Sequence, residues 1–310
     1  MIKKYLVSGA AGFIGAAIAT DLVKSGHEVW TIDNLATGFT GNIPDGVEFV
    51  KGNCQDDSSI KSLKKTKFDA ILHFAGQSSG EISFDDSIYD LRTNTESTLK
   101  LINYGLETGC RRFIYASSMS VYGDVPDKPI PETYPCNPLS FYGVGKLASE
   151  HYLRIYQTKG LQPTSLRIFN VYGPGQNLSN LRQGMVSIYL AQMLNNQQII
   201  VKGSPDRFRD FIYIDDVVQL TMMVLNSKVS IGKHYNIGTG IKILVQNVLD
   251  KLIKNYGEEV KVDFIDPTPG DQLGIIADIQ LLKNDFAFDD LTDFDTGLNK
   301  MMKWSVNELK

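Results

Sequence analysis

Tyr142 and Lys146 stand four residues apart at the start of a helix-like stretch, a spacing that puts both side chains on one face. A phenol is a weak base at neutral pH, with an unperturbed pKa near ~10. An ammonium one turn away favours the phenolate, so the pair is expected to lower that value. Together they suit general acid–base work. Ser118 is the third candidate. It follows Arg112-Phe113-Ile114-Tyr115-Ala116, at the carboxyl end of an expected parallel strand. Open α/β sheets bind ligands at that edge. Its hydroxyl can orient a substrate oxygen against Tyr142. Each feature has an ordinary alternative. A YxxxK pattern also marks an amphipathic helix with a surface lysine, and a Ser-Ser pair often caps a turn.

The elements that must position these groups begin at the N-terminus. Tyr5-Leu6-Val7 reads as a strand and runs into Ser8-Gly9-Ala10-Ala11-Gly12-Phe13-Ile14-Gly15. Glycines at 9, 12 and 15, between a strand and a helix, let backbone approach a pyrophosphate and leave helix N-terminal N–H groups to bind it. The next strand, Glu28-Val29-Trp30-Thr31-Ile32-Asp33, ends on an acid. A carboxylate there accepts hydrogen bonds from ribose hydroxyls and repels a 2′-phosphate, so the expected cofactor is NAD and not NADP. Lys146 can then also bond a ribose of that cofactor, and the Tyr142 pair lies where hydride transfer occurs.

Strand-like runs recur at Lys4–Val7, Glu28–Asp33, Val47–Lys51, Ala70–Phe74, Arg112–Ala116 and Thr164–Phe169. Amphipathic stretches such as Asp90–Thr108 and Gly143–Lys159 lie between them. Apolar strands alternating with helices predict an α/β fold with a doubly wound parallel sheet. Ser25-Gly26 closes the first helix as a left-handed cap. After Asn170 the rhythm changes, and Gly173-Pro174-Gly175 open a loop. We read residues 1–169 as a dinucleotide-binding domain, with 209–237 returning to it, and 170–310 as a smaller mixed α/β substrate domain. Prolines 126, 129, 131, 135 and 138 exclude helix and central strand from their segment, which reads as a stiffened surface loop leading into Phe141-Tyr142.

Composition removes other classes. The chain has 310 residues, 43% hydrophobic and 21% charged, the balance of a globular protein. A net charge of −4 leaves no basic footprint for nucleic acid. No apolar run approaches the ~18–20 residues of a membrane span, and Lys3-Lys4 precede only a strand, not a signal peptide. Cys54, Cys110 and Cys136 are few and scattered, which fits the cytoplasm and no disulfide framework. His27, His73, His151 and His234 lack ligand spacing, and no metal site is expected.

The chain resembles the extended short-chain dehydrogenase/reductases, and within them the NAD-dependent sugar-nucleotide epimerases of the UDP-glucose 4-epimerase type. The resemblance is carried by the glycine turn, Asp33-Asn34, His73-Phe74-Ala75-Gly76, Phe113 to Ser118, Val121-Tyr122-Gly123 and the Tyr142/Lys146 pair. Arg167-Ile168-Phe169-Asn170, Arg209-Asp210-Phe211-Ile212, Tyr235-Asn236-Ile237-Gly238 and Pro269-Gly270-Asp271 follow in the family order, so nearly the whole chain is covered. It implies a Rossmann sheet and a bound NAD. It implies cofactor contacts at Gly9, Gly12, Phe13, Ile14, Gly15, Asp33, Asn34, Asn53, Cys54, Phe74, Ala75, Gly76, Phe169 and the catalytic pair, with Asn94 beside the pyrophosphate. It implies substrate contacts at Ser78, Ser118, Asn170, Arg209 and Asp271, and a homodimer built on the helices around 90–108 and 143–159.

The departures bear on chemistry. Asn53 stands where many relatives place an aspartate for the adenine; its carbonyl can still accept one hydrogen bond. Gln77-Ser78-Ser79 replace a lysine-bearing segment, and Thr268 replaces an arginine. Met119-Ser120 follow Ser118, so the Asp-Glu pair of a 4,6-dehydratase, the glutamate of a decarboxylase and the cysteine of a 3,5-epimerase are missing. The remaining chemistry is oxidation and re-reduction at C4 of a nucleotide hexose, UDP-glucose and UDP-galactose first. The alternatives are a net NAD-dependent reductase or dehydrogenase, or a C2-epimerase of a CDP- or dTDP-linked sugar. A dinucleotide-sensing binding protein usually lacks the tyrosine or the lysine.

Overall fold

The computed structural model describes residues 1–268, 272–288 and 291–308. Its centre is a seven-stranded sheet in the spatial order Glu48–Lys51, Glu28–Asp33, Lys4–Ser8, Ala70–His73, Arg112–Ser118, Gln162–Ile168, His234–Ile237. Every pairing is parallel. The chain order reverses beside Lys4–Ser8, which opens a crevice at the carboxyl ends of the strands.

Residues alternate between the two faces of each strand. Tyr5, Val7, Leu72 and Ile114 join a core with Ile18 and Leu22 of helix Phe13–Lys24 and with Val217, Leu220 and Val224 of helix Ile214–Asn226. Leu6, Ile71, Phe113 and Tyr115 face the other way, onto Leu101 and Ile102 of helix Ser97–Thr108 and Leu153 of helix Phe141–Tyr156. Both faces are covered, and the sheet is the doubly wound Rossmann-like one expected. Gly26, at φ +78°, ends the first helix as anticipated.

The later chain builds a second core around Tyr172, Leu190, Val201, Phe211, Val248 and Met301. Its sheets are small. Asn170–Tyr172 pairs with Phe211–Tyr213, and Gln198–Lys202 pairs with Lys261–Ile265. Helix Ile214–Asn226 and strand His234–Ile237 pack on and extend the central sheet, whereas Phe208–Arg209 and Phe211–Tyr213 lie outside it. The proline-rich segment is not loop throughout. Pro129–Ile130 forms the edge strand of a four-stranded sheet, where a missing N–H is tolerated, and Ile130 is buried. Among the described residues no helix is long and apolar enough to cross a membrane.

A buried ion pair joins two neighbouring strands, Arg112–Ser118 and Gln162–Ile168, to the helix above them. Arg167 donates from Nε and Nη2 to Glu150 at 3.0 and 2.7 Å, and the Ser117 hydroxyl donates to the same carboxylate at 2.6 Å. Burial opposes ionisation of Glu150, yet the Arg167 hydrogen bonds and charge hold its carboxyl below the usual range. Removing one partner leaves the other charged in the core. Arg167→Met is therefore expected to cost about 3–5 kcal/mol of stability, and Glu150→Met with Arg167→Met to recover most of it. Urea denaturation midpoints measure both; a loss under ~1 kcal/mol in the single variant would mean that water solvates the pair.

Candidate active site

The crevice at the strand ends is a cleft of about 610 Å³. One end is the glycine turn. Gly9 has φ +82°, and a Cβ on it would stand 2.6 Å from the Ala75 nitrogen; a Cβ on Gly15 would stand 2.2 Å from the Gly9 carbonyl oxygen. Only glycine allows backbone to pack on backbone this closely. The first-turn N–H groups of helix Phe13–Lys24 have no acceptor within the helix, and Gly12, Phe13, Ile14 and Gly15 line the cleft. Asp33 lies beside them. Its oxygens accept from the Ala11 and Leu35 N–H groups at 3.0 and 2.8 Å, which fixes the carboxylate and leaves lone pairs for hydroxyl donors. Asn34, Asn53, Cys54, Phe74, Ala75 and Gly76 complete this end. Asn34 Nδ2 donates to Asn53 Oδ1 at 2.8 Å, and Asn53 Nδ2 donates to Asp56 at 2.7 Å, so the Asn53 amide is oriented within the protein. A cradle of bare backbone, helix N–H groups and a fixed carboxylate fits a dinucleotide.

The other end holds the reactive side chains. Strand Arg112–Ser118 delivers Ser118, whose hydroxyl accepts the Ser120 N–H at 3.2 Å and so also caps the turn that follows. The helix carrying Tyr142 and Lys146 starts after Pro138, where Ser140 Oγ accepts the Gly143 N–H at 3.1 Å. Lys146 Nζ donates to the Ala116 carbonyl at 2.9 Å and lies 5.6 Å from the centre of the Tyr142 ring. Tyr142 and Ser118 line the same part of the cleft wall. Phe169 and Asn170 reach the same wall, with Asn170 Nδ2 donating to the Asp210 carbonyl at 3.2 Å.

The expected lowering of Tyr142 is not found. Burial pushes the phenol up to about 12; the Ser118 hydroxyl works against this and the charge of Asp90 adds to it. The reason is that burial acts on both partners. Lys146 is pushed down to about 8 by burial, partly restored by Asp90, and its ammonium is directed onto a carbonyl. Tyr142 therefore holds its proton at neutral pH until further positive charge arrives.

Two of the expected substrate or cofactor residues lie off the cleft wall, and a third lies outside the described residues. Asn94 is fully buried behind the wall, in a π-type turn of the helix at Arg92–Glu96, with its Nδ2 donating to the Gln77 carbonyl at 2.9 Å. Arg209 is buried in the small four-stranded sheet, off the cleft wall, and donates to the Phe208 carbonyl at 2.8 Å and that of Leu273 at 3.3 Å. Asp271, with Pro269 and Gly270, lies outside the described residues. Ser78 is on the wall, bonded by Gln183 Nε2 at 2.6 Å. Gln183 belongs with Asn177, Asn180 and Arg182 to a loop that the sequence marks only by the Gly173-Pro174-Gly175 opening; no periodicity singles these residues out.

Residues 5–238 match the model of the NAD dependent epimerase/dehydratase family. This chain belongs to that family. It is 32% identical over 273 residues, 86% of its length and 87% of the relative's, to UDP-glucose 4-epimerase of Mycolicibacterium smegmatis. The UDP-glucose 4-epimerase of Thermus thermophilus, solved with NAD, superposes with a TM-score of 0.91 at 31% identity, covering 97% of this chain and 98% of that one. The Thermotoga maritima enzyme, solved with UDP-glucose, gives 0.94 at 29% identity, with 99% and 100% covered. Members of this family are NAD dependent, and the fixed Asp33 carboxylate at the glycine-turn end of the cleft predicts a preference for a cofactor that lacks a 2′-phosphate. Asp33 is expected to disfavour NADP by roughly 10–100-fold, and Asp33→Ala to narrow that ratio even as it loosens the Ala11–Leu35 loop. Calorimetric titration of both cofactors decides this; equal affinities for NAD and NADP would remove Asp33 from the selection.

Proposed function

We propose that the protein inverts C4 of a nucleotide-linked hexose, interconverting UDP-glucose and UDP-galactose through a 4-keto sugar. The observation that carries this reading is the convergence of Ser118, Tyr142 and Lys146 at one end of a cleft whose other end is the dinucleotide cradle. UDP-sugar relatives that align along nearly the whole chain support the substrate. Met119-Ser120, in place of an acid pair, supports epimerisation over loss of water.

Ser118 orients the C4 hydroxyl by hydrogen bonding. Tyr142, as phenolate, accepts the hydroxyl proton, and Lys146 stabilises the phenolate charge. When bound, NAD supplies the redox partner that accepts hydrogen from C4 and returns it, together with a positive charge that favours the phenolate. After the sugar has turned, Tyr142 returns the proton to the C4 oxygen and the residues are restored. Asn170 holds the nucleotide side of the substrate in this reading; Arg209 acts from behind the wall, through the Phe208 and Leu273 backbone. Asp33, Asn34, Asn53 and Cys54 serve the adenosine half of the cofactor.

The test is UDP-galactose supplied without reductant, followed by proton NMR of the sugar. UDP-glucose is expected to appear with no net NADH, and Tyr142→Phe to lose about 10²–10⁴-fold in turnover. Stoichiometric NADH would make the protein a net dehydrogenase. Conversion of a CDP- or dTDP-sugar but of no UDP-hexose would sink the substrate assignment.

We also propose a homodimer. Ile88, Leu91, Phe141, Val144 and Ile155 are exposed apolar side chains on the two neighbouring helical segments, Ser87–Leu91 and Phe141–Tyr156. Such a patch on both helices suits a self-complementary two-fold contact. Sedimentation equilibrium is expected to give a dimer for the wild type and a monomer for Val144→Glu with Ile88→Glu; a monomeric wild type would end the proposal.

A further inference from the structure

Asp90 takes no part in the chemistry above, yet it is 1% exposed and sits behind the catalytic helix. Its Oδ1 accepts from Gln77 Nε2 at 2.8 Å and from Asn94 Nδ2 at 3.1 Å. Its Oδ2 is buried and has no hydrogen-bond partner. A carboxylate oxygen left dry is costly, because an anion loses its hydration and gains no donor. Burial raises the Asp90 carboxyl, and the Gln77 hydrogen bond, the charge of Lys146 and the Asn94 hydrogen bond work against that rise; a buried cation on the neighbouring helix offsets part of the cost.

The neighbouring helix supplies one. A Cβ on Gly145 would stand 3.4 Å from Asp90 Oδ2 and 3.3 Å from Asn94 Cβ, so a bare glycine lets helix Phe141–Tyr156 close onto Asp90 one residue before Lys146. Lys146 is 4% exposed, and its ammonium bonds a neutral carbonyl, which solvates but does not cancel its charge. The other ionisable groups around it are committed elsewhere or neutral. Glu150, on the same helix face, is paired with Arg167. His73, on the sheet beneath, is pushed down to about 3 by burial and by Lys146, and is neutral. Tyr142 and Tyr115 are phenols pushed up by burial.

We propose that Asp90 is a positioning residue of the active site, the buried counter-charge that holds Lys146 as an ammonium at Ala116 and thereby sets the pH window in which Tyr142 exchanges a proton. The proposal rests on reading Tyr142 and Lys146 as the acid–base pair. Through Gln77, which Asp90 also anchors, the same carboxylate orients the Ser78 loop on the sugar side of the cleft.

The signs follow from the charge. The Asp90 carboxylate holds the Lys146 ammonium up against burial and also raises Tyr142. Removing the charge with a near-isosteric Asp90→Asn lets both fall. The acid limb of the turnover profile, set by loss of the Tyr142 proton, moves to lower pH. The alkaline limb, set by loss of the Lys146 proton, moves the same way, and turnover on the alkaline side drops about tenfold. A purely structural loss would scale the profile without displacing it.

The direct measurement needs no substrate. Trace acetylation with acetic anhydride over a pH series, quantified by mass spectrometry on the Lys146 peptide of NAD-stripped protein, reads the lysine midpoint. The wild type is expected near 8, and Asp90→Asn clearly below it. An unmoved midpoint in a folded Asp90→Asn protein, with superimposable turnover profiles, overturns the proposal. Should Asp90→Asn fail to fold, the wild-type midpoint decides alone: a value near ~5–6, that of a buried lysine with no counter-charge, overturns it, and a value near 8 supports it. Because the labelling involves no turnover, a protein inactive on every nucleotide sugar would still report on Asp90.

Discussion

The Glu150–Arg167 pair decides how the catalytic helix sits on the sheet. Tyr142, Lys146 and Glu150 follow one another at four-residue intervals on one helix face. Two of the three are tied to the end of the same strand: Lys146 to the Ala116 carbonyl, Glu150 to the Ser117 hydroxyl. Arg167 stands opposite Ser117 in the next strand and closes the clamp from there. Its remaining nitrogen donates to the Tyr122 hydroxyl at 3.0 Å, which in turn donates to Asn236 at 2.6 Å on the outermost strand. A slip of one residue between helix and strand would break several buried charge-assisted hydrogen bonds at once. The position of Ser118 relative to Tyr142 follows from that register. The cost of desolvating the pair is the cost of geometric definition at the reactive end of the cleft.

The same burial controls the electrostatics. Tyr142, Lys146 and His73 all move toward their neutral forms, because low polarity penalises whichever form is charged. A tyrosine–lysine pair read from spacing alone invites the opposite conclusion for the tyrosine, since the ammonium is then the only neighbour in view. Within the fold the ammonium is a weakened partner and Asp90 is an additional anion. The phenol is left as a proton donor whose ionisation waits on positive charge entering the cleft.

What the sequence makes legible is what depends on local rules. Short apolar runs such as Tyr5-Leu6-Val7 and Phe113-Ile114-Tyr115 mark strands, whose two faces the fold then buries on both sides, and the glycines at 9, 12 and 15 mark a turn that backbone contacts with Ala75 and Gly9 explain. The glycine-turn end of the cleft is therefore visible in advance. The opposite end is not. It is assembled from the Ser78 loop and the segment around Asn177 to Gln183, about a hundred residues apart, and nothing local records that they meet. Arg209 shows the limit of placement by motif. A motif match places it by chain position, but its strand, Phe208–Arg209, turns it into the small sheet. Pro129–Ile130 is a milder case: proline disfavours a central strand and permits an edge, and only tertiary pairing selects the edge.

The departure at Ser78 acquires a physical meaning from its partner. A lysine at this position would bring a compact, strongly hydrated charge into the cleft. Here the serine hydroxyl takes a hydrogen bond from Gln183, and the Ser79 hydroxyl donates to the Arg182 carbonyl at 3.2 Å. The Arg182 guanidinium is turned outward onto Asp85 at 2.7 Å and Glu81 at 3.4 Å, with Lys202 on the same Glu81 at 3.0 Å. The two loops are thus joined by neutral hydrogen bonds on the cleft side and by ion pairs on the solvent side. In the proposed reaction a sugar placed between them would meet amides and hydroxyls, which exchange partners more cheaply than a fixed charge could. A wall of this kind is compatible with presenting either face of a keto sugar to the same tyrosine.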